Sequence, residues 1–199
     1  FNHENEPEPL PALREQLSFL YRLAKDLKAK REVVRGKPET FNRPDYNFRL
    51  VGNDGNEPQG DETVQITTRQ RGAPLDLIVA EAAIVANSHW GQWLDEHKVP
   101  GIYRTQASLS PGSKVRMVTH AAPHAGMGVA SYIWATSPLR RYIDLLNQWQ
   151  LLACVQHGPT AALVAPFKET ALLGIIASCE RTYSAYHSVQ STLEYYWTL

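Results

Sequence analysis

Between Tyr132 and Asn147 the chain reads Tyr-Ile-Trp-Ala-Thr-Ser-Pro-Leu-Arg-Arg-Tyr-Ile-Asp-Leu-Leu-Asn, and this stretch restricts the fold more than any other. Its front half alternates large apolar residues as a strand does, and Pro138 suits the first position of a helix capped by Ser137 or Thr136. A strand that passes straight into a helix implies an α/β (mixed α+β) fold. Arg140 and Arg141 then fall in the first helical turn, where free N–H groups already carry about half a positive charge and favour acidic side chains. Two readings stand. Asp144 neutralises both arginines in a surface ion pair, or an anion sits before the helix. A phosphate suits the second reading, because helix-end amides and a guanidinium fork can converge on its oxygens. The opposing dipole gives a surface pair little reason to form here, which favours the phosphate.

The rest of the chain supplies long helices and one hairpin. Leu10, Leu13, Leu17, Leu20, Ala24 and Leu27 define one helical face, with Lys25, Lys28, Lys30 and Arg31 gathered in the last turns. Pro44 blocks helix, so residues 45–52 and Thr63 to Thr68 are predicted as a hairpin around a Gly/Asn/Asp/Pro-rich loop. Pro74 to His97 is apolar around most of its circumference, as a buried helix should be. Glu81 lies within that run and must be paired, hydrogen-bonded or protonated. Pro138 to Gln156 forms a third helix, stopped by Gly158 and Pro159, with a polar line at Arg140, Asp144 and Asn147. Lys168 to Leu199 forms the last.

Twenty basic and twenty acidic side chains cancel, so any grip on nucleic acid must be local. Cys154 and Cys179 lie in apolar helical patterns, which suits buried thiols, a reducing compartment and the cytoplasm. No apolar run approaches the ~20 residues of a membrane span. His120 and His124 have a zinc-like spacing, but Pro123 and the lack of a second ligand pair argue against a metal site. The start at Phe1, with an acidic, proline-bearing lead, suggests part of a longer polypeptide.

Thr136 to Asn147 resembles the T-S-P-[IL]-R-[RK]-Y-x-D-L/M-x-N segment of the ribonuclease II (RNB) family of processive 3′ to 5′ exoribonucleases. Three further stretches are similar to the family: Phe41 to Phe48 as F-x-R-P-D-Y-x-F, Leu77 to Asn87 as I-V-E-E-x-M-x-x-A-N, and Gly101 to Gln106 as P-x-[LI]-Y-R. The resemblance implies the C-terminal portion of an RNB catalytic domain over 1–199, with long helices packed on a β-sheet. It also implies a Mg²⁺-dependent hydrolase that degrades single-stranded RNA to nucleoside monophosphates. The family's D-x-x-x-x-x-D-x-D-D metal cluster is missing from the sequence, as are its flanking OB-type barrels. The Mg²⁺ ligands are therefore expected upstream, and the isolated segment is expected to be inactive without the remainder of the protein, in cis or in trans. The alternative is an RNB-like fragment that binds RNA or serves as a scaffold without cutting.

By the same resemblance Arg140 stabilises charge on the phosphoryl group and Glu81 borders the catalytic cavity, although a purely structural Glu81 paired to an arginine is an equal reading. The family's A-E-R-x-V/Y-x-x-W glutamate matches Glu194, with Tyr195 in place of Arg, while Glu180 and His187 remain rivals. Phe41 matches an aromatic that stacks on a base near the 3′ end, or else it packs in the core. Ser137, Arg141, Tyr142, Asp144 and Asn147 complete the RNA-binding set.

Overall fold

The structure, a computed structural model, describes residues 10–40, 45–52, 57, 60, 62–69, 72–159 and 168–198. It has the expected α/β character: four long helices and two small antiparallel ribbons, rather than one larger sheet. The chain divides into two units, residues 1–29 with 37–81 and residues 30–36 with 82–199.

The first unit holds most of α1 (Leu10–Arg35), the hairpin β1 (Asp45–Val51) with β2 (Thr63–Arg69), and the start of α2 (Pro74–Glu96). α1 runs two turns past the apolar face read from the sequence and stops at Gly36, whose φ of 78° is the left-handed conformation that ends helices. The hairpin pairs Asp45 with Arg69 at its open end and Val51 with Thr63 beside the loop. α2 opens on Pro74 with Asp76 in its first turn, both favourable to a helix start. It closes where Lys98 turns left-handed at φ 57° and the Val99 amide donates back to the Leu94 carbonyl at 2.9 Å.

The second unit holds β3 (Tyr103–Thr105), β4 (Arg116–Val118), α3 (Tyr142–His157) and α4 (Glu169–Thr198). Two apolar clusters form its core. One gathers Leu94, Val99, Tyr103, Ile133, Ala135 and Cys154; the other gathers Ile102, Ile143, Leu146, Leu172 and Ile176. Burial pushes both cysteine thiols up. Cys154 is buried as expected, and Cys179 is half-buried.

The junction before α3 differs from the sequence expectation. Residues 132–136 are not a ladder strand; Ile133 makes a single bridge to Tyr103. Pro138 does not open the helix, and neither Thr136 nor Ser137 caps it. The amides of Arg140 and Arg141 both donate to the Ser137 carbonyl at 3.2 and 3.1 Å, closing a turn. Arg141 at φ −130° is the N-cap, and α3 begins at Tyr142. The physical reason is Asp144. Its carboxylate is a stronger acceptor for the Ser137 amide and the Arg141 side chain than a hydroxyl cap would be, and drawing both toward it tightens the turn.

Candidate functional site

Of the polar line read from the sequence, Asp144 and Asn147 are buried at 0% exposure, joined by Gln150, whereas Arg140 is exposed and lies before α3. Asn147 reads two backbone segments at once. Its Oδ1 accepts from the Ile102 amide at 2.8 Å, and its Nδ2 donates to the Ile102 carbonyl at 2.9 Å and the Trp134 carbonyl at 2.8 Å. Asn87 on α2 does the same from its own helix, accepting from the Ala135 amide at 3.0 Å and donating to the Thr136 hydroxyl at 3.2 Å. Gln148 adds a bond to the Ala135 carbonyl at 2.7 Å. Side-chain amides thus meet the backbone of Trp134 and Ala135, while Tyr132 and Ile133 bond to the backbone of Arg104 and Asn87.

Asp144 receives three donors. The Ser137 amide donates to Oδ1 at 2.8 Å, and Arg141 forks onto the carboxylate through Nε and Nη2, each at 2.8 Å. The pairing of Arg141 with Asp144 is real, but its carboxylate end is fully buried and not on the surface. Arg140 is exposed, and among the described residues no acceptor pairs with its guanidinium. With α3 starting at Tyr142, neither arginine lies inside the first helical turn.

A second arginine joins the cluster from β3. The guanidinium carbon of Arg104 lies 3.7 Å from the Trp134 ring centroid and that of Arg141 lies 4.2 Å from it. Both groups lie over the same ring. Their carbons are then at most about 8 Å apart, which at an effective dielectric of about 20 is a repulsion of roughly 2 kcal/mol. Stacking on an indole returns about 0.5–2 kcal/mol per cation, and Asp144 neutralises only one of the two. Burial pushes the Arg104 guanidinium below its ordinary value, and the charge of Arg141 acts in the same direction. It stays protonated at any physiological pH. Burial also raises the phenol of Tyr183 on α4, which lies within electrostatic reach of Arg104, Arg141 and Asp144. Arg104, Trp134 and Tyr183 carry no functional expectation in the sequence. The available signal was the place of Arg104 in Gly101 to Gln106, the stretch similar to the family's P-x-[LI]-Y-R segment.

Beside this cluster sits His124, buried edge-on against Tyr132 at 5.6 Å. Burial, with a smaller push from Arg104, lowers its pKa to about 4. Its Nδ1 accepts from the Met127 amide at 3.2 Å, as a neutral ring can.

The remaining site candidates are more dispersed. Glu81 is the last residue of the first unit, and its carboxylate is buried and partnered. Tyr142 is half exposed. Glu194 accepts from Gln190 on the exposed far end of α4, whereas Glu180 accepts from the Met117 amide of β4 at 3.4 Å. Phe41 lies outside the described residues. Among the described residues no group of three or more His, Cys, Asp or Glu side chains could hold a metal ion. Nor is any helix long and apolar enough to cross a membrane.

Comparison with known proteins agrees with the geometry. Residues 1–119 and 111–157 match the RNB domain. An uncharacterized ribonuclease of Synechocystis is 29% identical over 161 residues, covering 70% of this chain and 23% of that protein. The mitochondrial exoribonuclease II of Saccharomyces cerevisiae is 22% identical, covering 98% of this chain and 22% of its own length. The crystal structure of an active-site mutant of the Dss1 exoribonuclease from Candida glabrata superposes with a TM-score of 0.65 at 22% identity, covering 85% of this chain and 25% of that one, a likeness of fold. The chain thus spans about a quarter of the length of these relatives. With the RNB pattern running through the Thr136–Asn147 turn and most of α3, the chain belongs to the RNB domain family of ribonucleases.

Proposed function

We propose that this chain is part of a Mg²⁺-dependent, hydrolytic 3′ to 5′ exoribonuclease that acts on single-stranded RNA and releases nucleoside monophosphates. The observation that carries the reading is the turn at residues 137–141 inside the matched region. It holds an exposed, unpaired Arg140 next to a guanidinium pair braced on Trp134. In this reading Arg140 meets the negative charge that grows on the phosphoryl group in the transition state. Ser137, Arg141, Asp144 and Asn147 set the turn, and Tyr142 and Phe41 contact the RNA.

Glu81 is assigned the RNA-end contact of the family's second glutamate. On α4 we favour Glu180 over Glu194 for the other glutamate, because Glu180 shares the stretch of helix that carries Tyr183 beside the arginines. The described residues do not fit a Mg²⁺ site, so its ligands come from the remainder of the protein, in cis or in trans. The two free cysteines accord with a reducing compartment, and we assign the cytoplasm.

The test uses the intact polypeptide that carries this chain, with 5′-labelled single-stranded RNA in the presence of Mg²⁺ or EDTA. Metal-dependent shortening from the 3′ end with release of monophosphates is expected, while residues 1–199 alone release none. Binding without any cleavage by the intact protein would instead establish the scaffold reading.

A further inference from the structure

We propose that Arg104 and Arg141, stacked on Trp134, form an anion subsite that takes one phosphodiester of single-stranded RNA, apart from the contact assigned to Arg140. The identity of the ligand rests on the ribonuclease reading above. Arg104 is the central observation. It is half-buried with its guanidinium over the indole of Trp134, yet among the described residues no carboxylate or carbonyl accepts a hydrogen bond from it. A guanidinium carries five N–H donors in its plane, and stacking uses its face and leaves those donors directed outward. With only its face engaged, the group leaves its donors to water, and a phosphate diester supplies two anionic oxygens spaced for the fork.

The charge balance points the same way. Asp144 is saturated by Arg141 and the Ser137 amide, so the pair keeps one uncompensated positive charge. On a chain whose formal net charge is zero, this is local attraction and not a general basic surface. The arginines are reachable from solvent: the Arg141 side chain is 20% exposed, Arg104 is half-buried, and no nitrogen of either is buried without a partner. A stack that served packing alone would satisfy Trp134 with one cation; the second brings repulsion that only an anion relieves.

The experiment measures binding of a single-stranded oligonucleotide to the intact protein from 50 to 300 mM salt, with metal withheld, for wild type, Arg104→Gln and Arg104→Lys. Losing one phosphate contact on a single strand should lower the slope of log K against log salt by about 0.7 and weaken binding roughly five- to tenfold at the low end. Arg104→Lys should keep the slope while recovering only part of the affinity, since an ammonium lacks the fork. Both variants should give wild-type circular dichroism. A slope unchanged in Arg104→Gln overturns the subsite, whatever happens to the melting temperature. If the wild-type protein neither binds nor cuts RNA, the ribonuclease reading fails by itself. The subsite is then judged by arginine side-chain ¹⁵N shifts during titration with inorganic phosphate: a wild-type response lost in Arg104→Gln upholds it, and no response overturns it.

Discussion

Replacing Asp144 by alanine should loosen the turn that carries Arg140. The carboxylate is 0% exposed and is held at 2.8 Å by each of three donors, while the Arg141 side chain is 20% exposed. Deleting one partner of a buried charge pair costs about 3–5 kcal/mol, chiefly for the charge left behind. Water reaches part of Arg141, which moves the expected cost to the lower end, about 3 kcal/mol. That corresponds to roughly a hundredfold faster hydrogen exchange for amides in 137–147 whose opening depends on this pair. Asp144→Asn keeps one oxygen for the Ser137 amide but loses the charge and the second acceptor, so it should cost less than alanine and still leave Arg141 partly unpaired. The assay is native-state hydrogen exchange with mass-spectrometric readout on the intact polypeptide, including Asp144→Ala in an Arg141→Ala background. With the stranded cation removed, the second substitution should cost much less. If Asp144→Ala exchanges within about threefold of wild type, or costs the same with and without Arg141, the pair does not set the turn.

Two further outcomes are expected. His124, with its pKa lowered to about 4 against an ordinary value near 6.5, binds a proton more readily when unfolded. Its contribution is therefore fully present above pH ~6.5 and is lost as pH falls through ~4, a change of about 3 kcal/mol. An imidazole NMR signal from His124 that titrates near pH 6.5 in the folded protein would refute this. Arg140→Ala in the intact enzyme should lower the single-turnover cleavage rate by about 10²–10³ with a far smaller loss of RNA affinity, and Arg140→Lys should rescue it only in part. Arg141→Ala should act more on binding and packing than on turnover. A weaker affinity with an unchanged cleavage rate in Arg140→Ala would reduce that residue to a phosphate anchor.

Much of the scaffold is legible in sequence periodicity. The bounds of α2 follow from its apolar circumference, and the two strands of the hairpin follow from Pro44 and the turn-rich loop. The start of α3 is not. Helix-start signals at Ser137-Pro138 are worth about 1 kcal/mol, and a buried carboxylate six residues beyond Pro138 outweighs them through tertiary bonds that no local rule contains. The polar line Asp144–Asn147 was readable because a narrow polar stripe on an apolar helix has to be satisfied inside the protein. Arg104 was hidden for the opposite reason. Its partner Trp134 is thirty positions away, and cation stacking leaves no periodic trace.

The amide clamp has its own consequence. Asn147 meets both the N–H and the C=O of Ile102, as a neighbouring strand would, and so satisfies a residue that is 0% exposed and has no water to turn to. Donor and acceptor sit at fixed ends of one side chain, so a one-residue slip at 102 would oppose like groups and be rejected. This lock is electrically neutral. Salt that weakens the arginine cluster leaves this pairing at Ile102 and Trp134 unchanged, because no charge takes part in it.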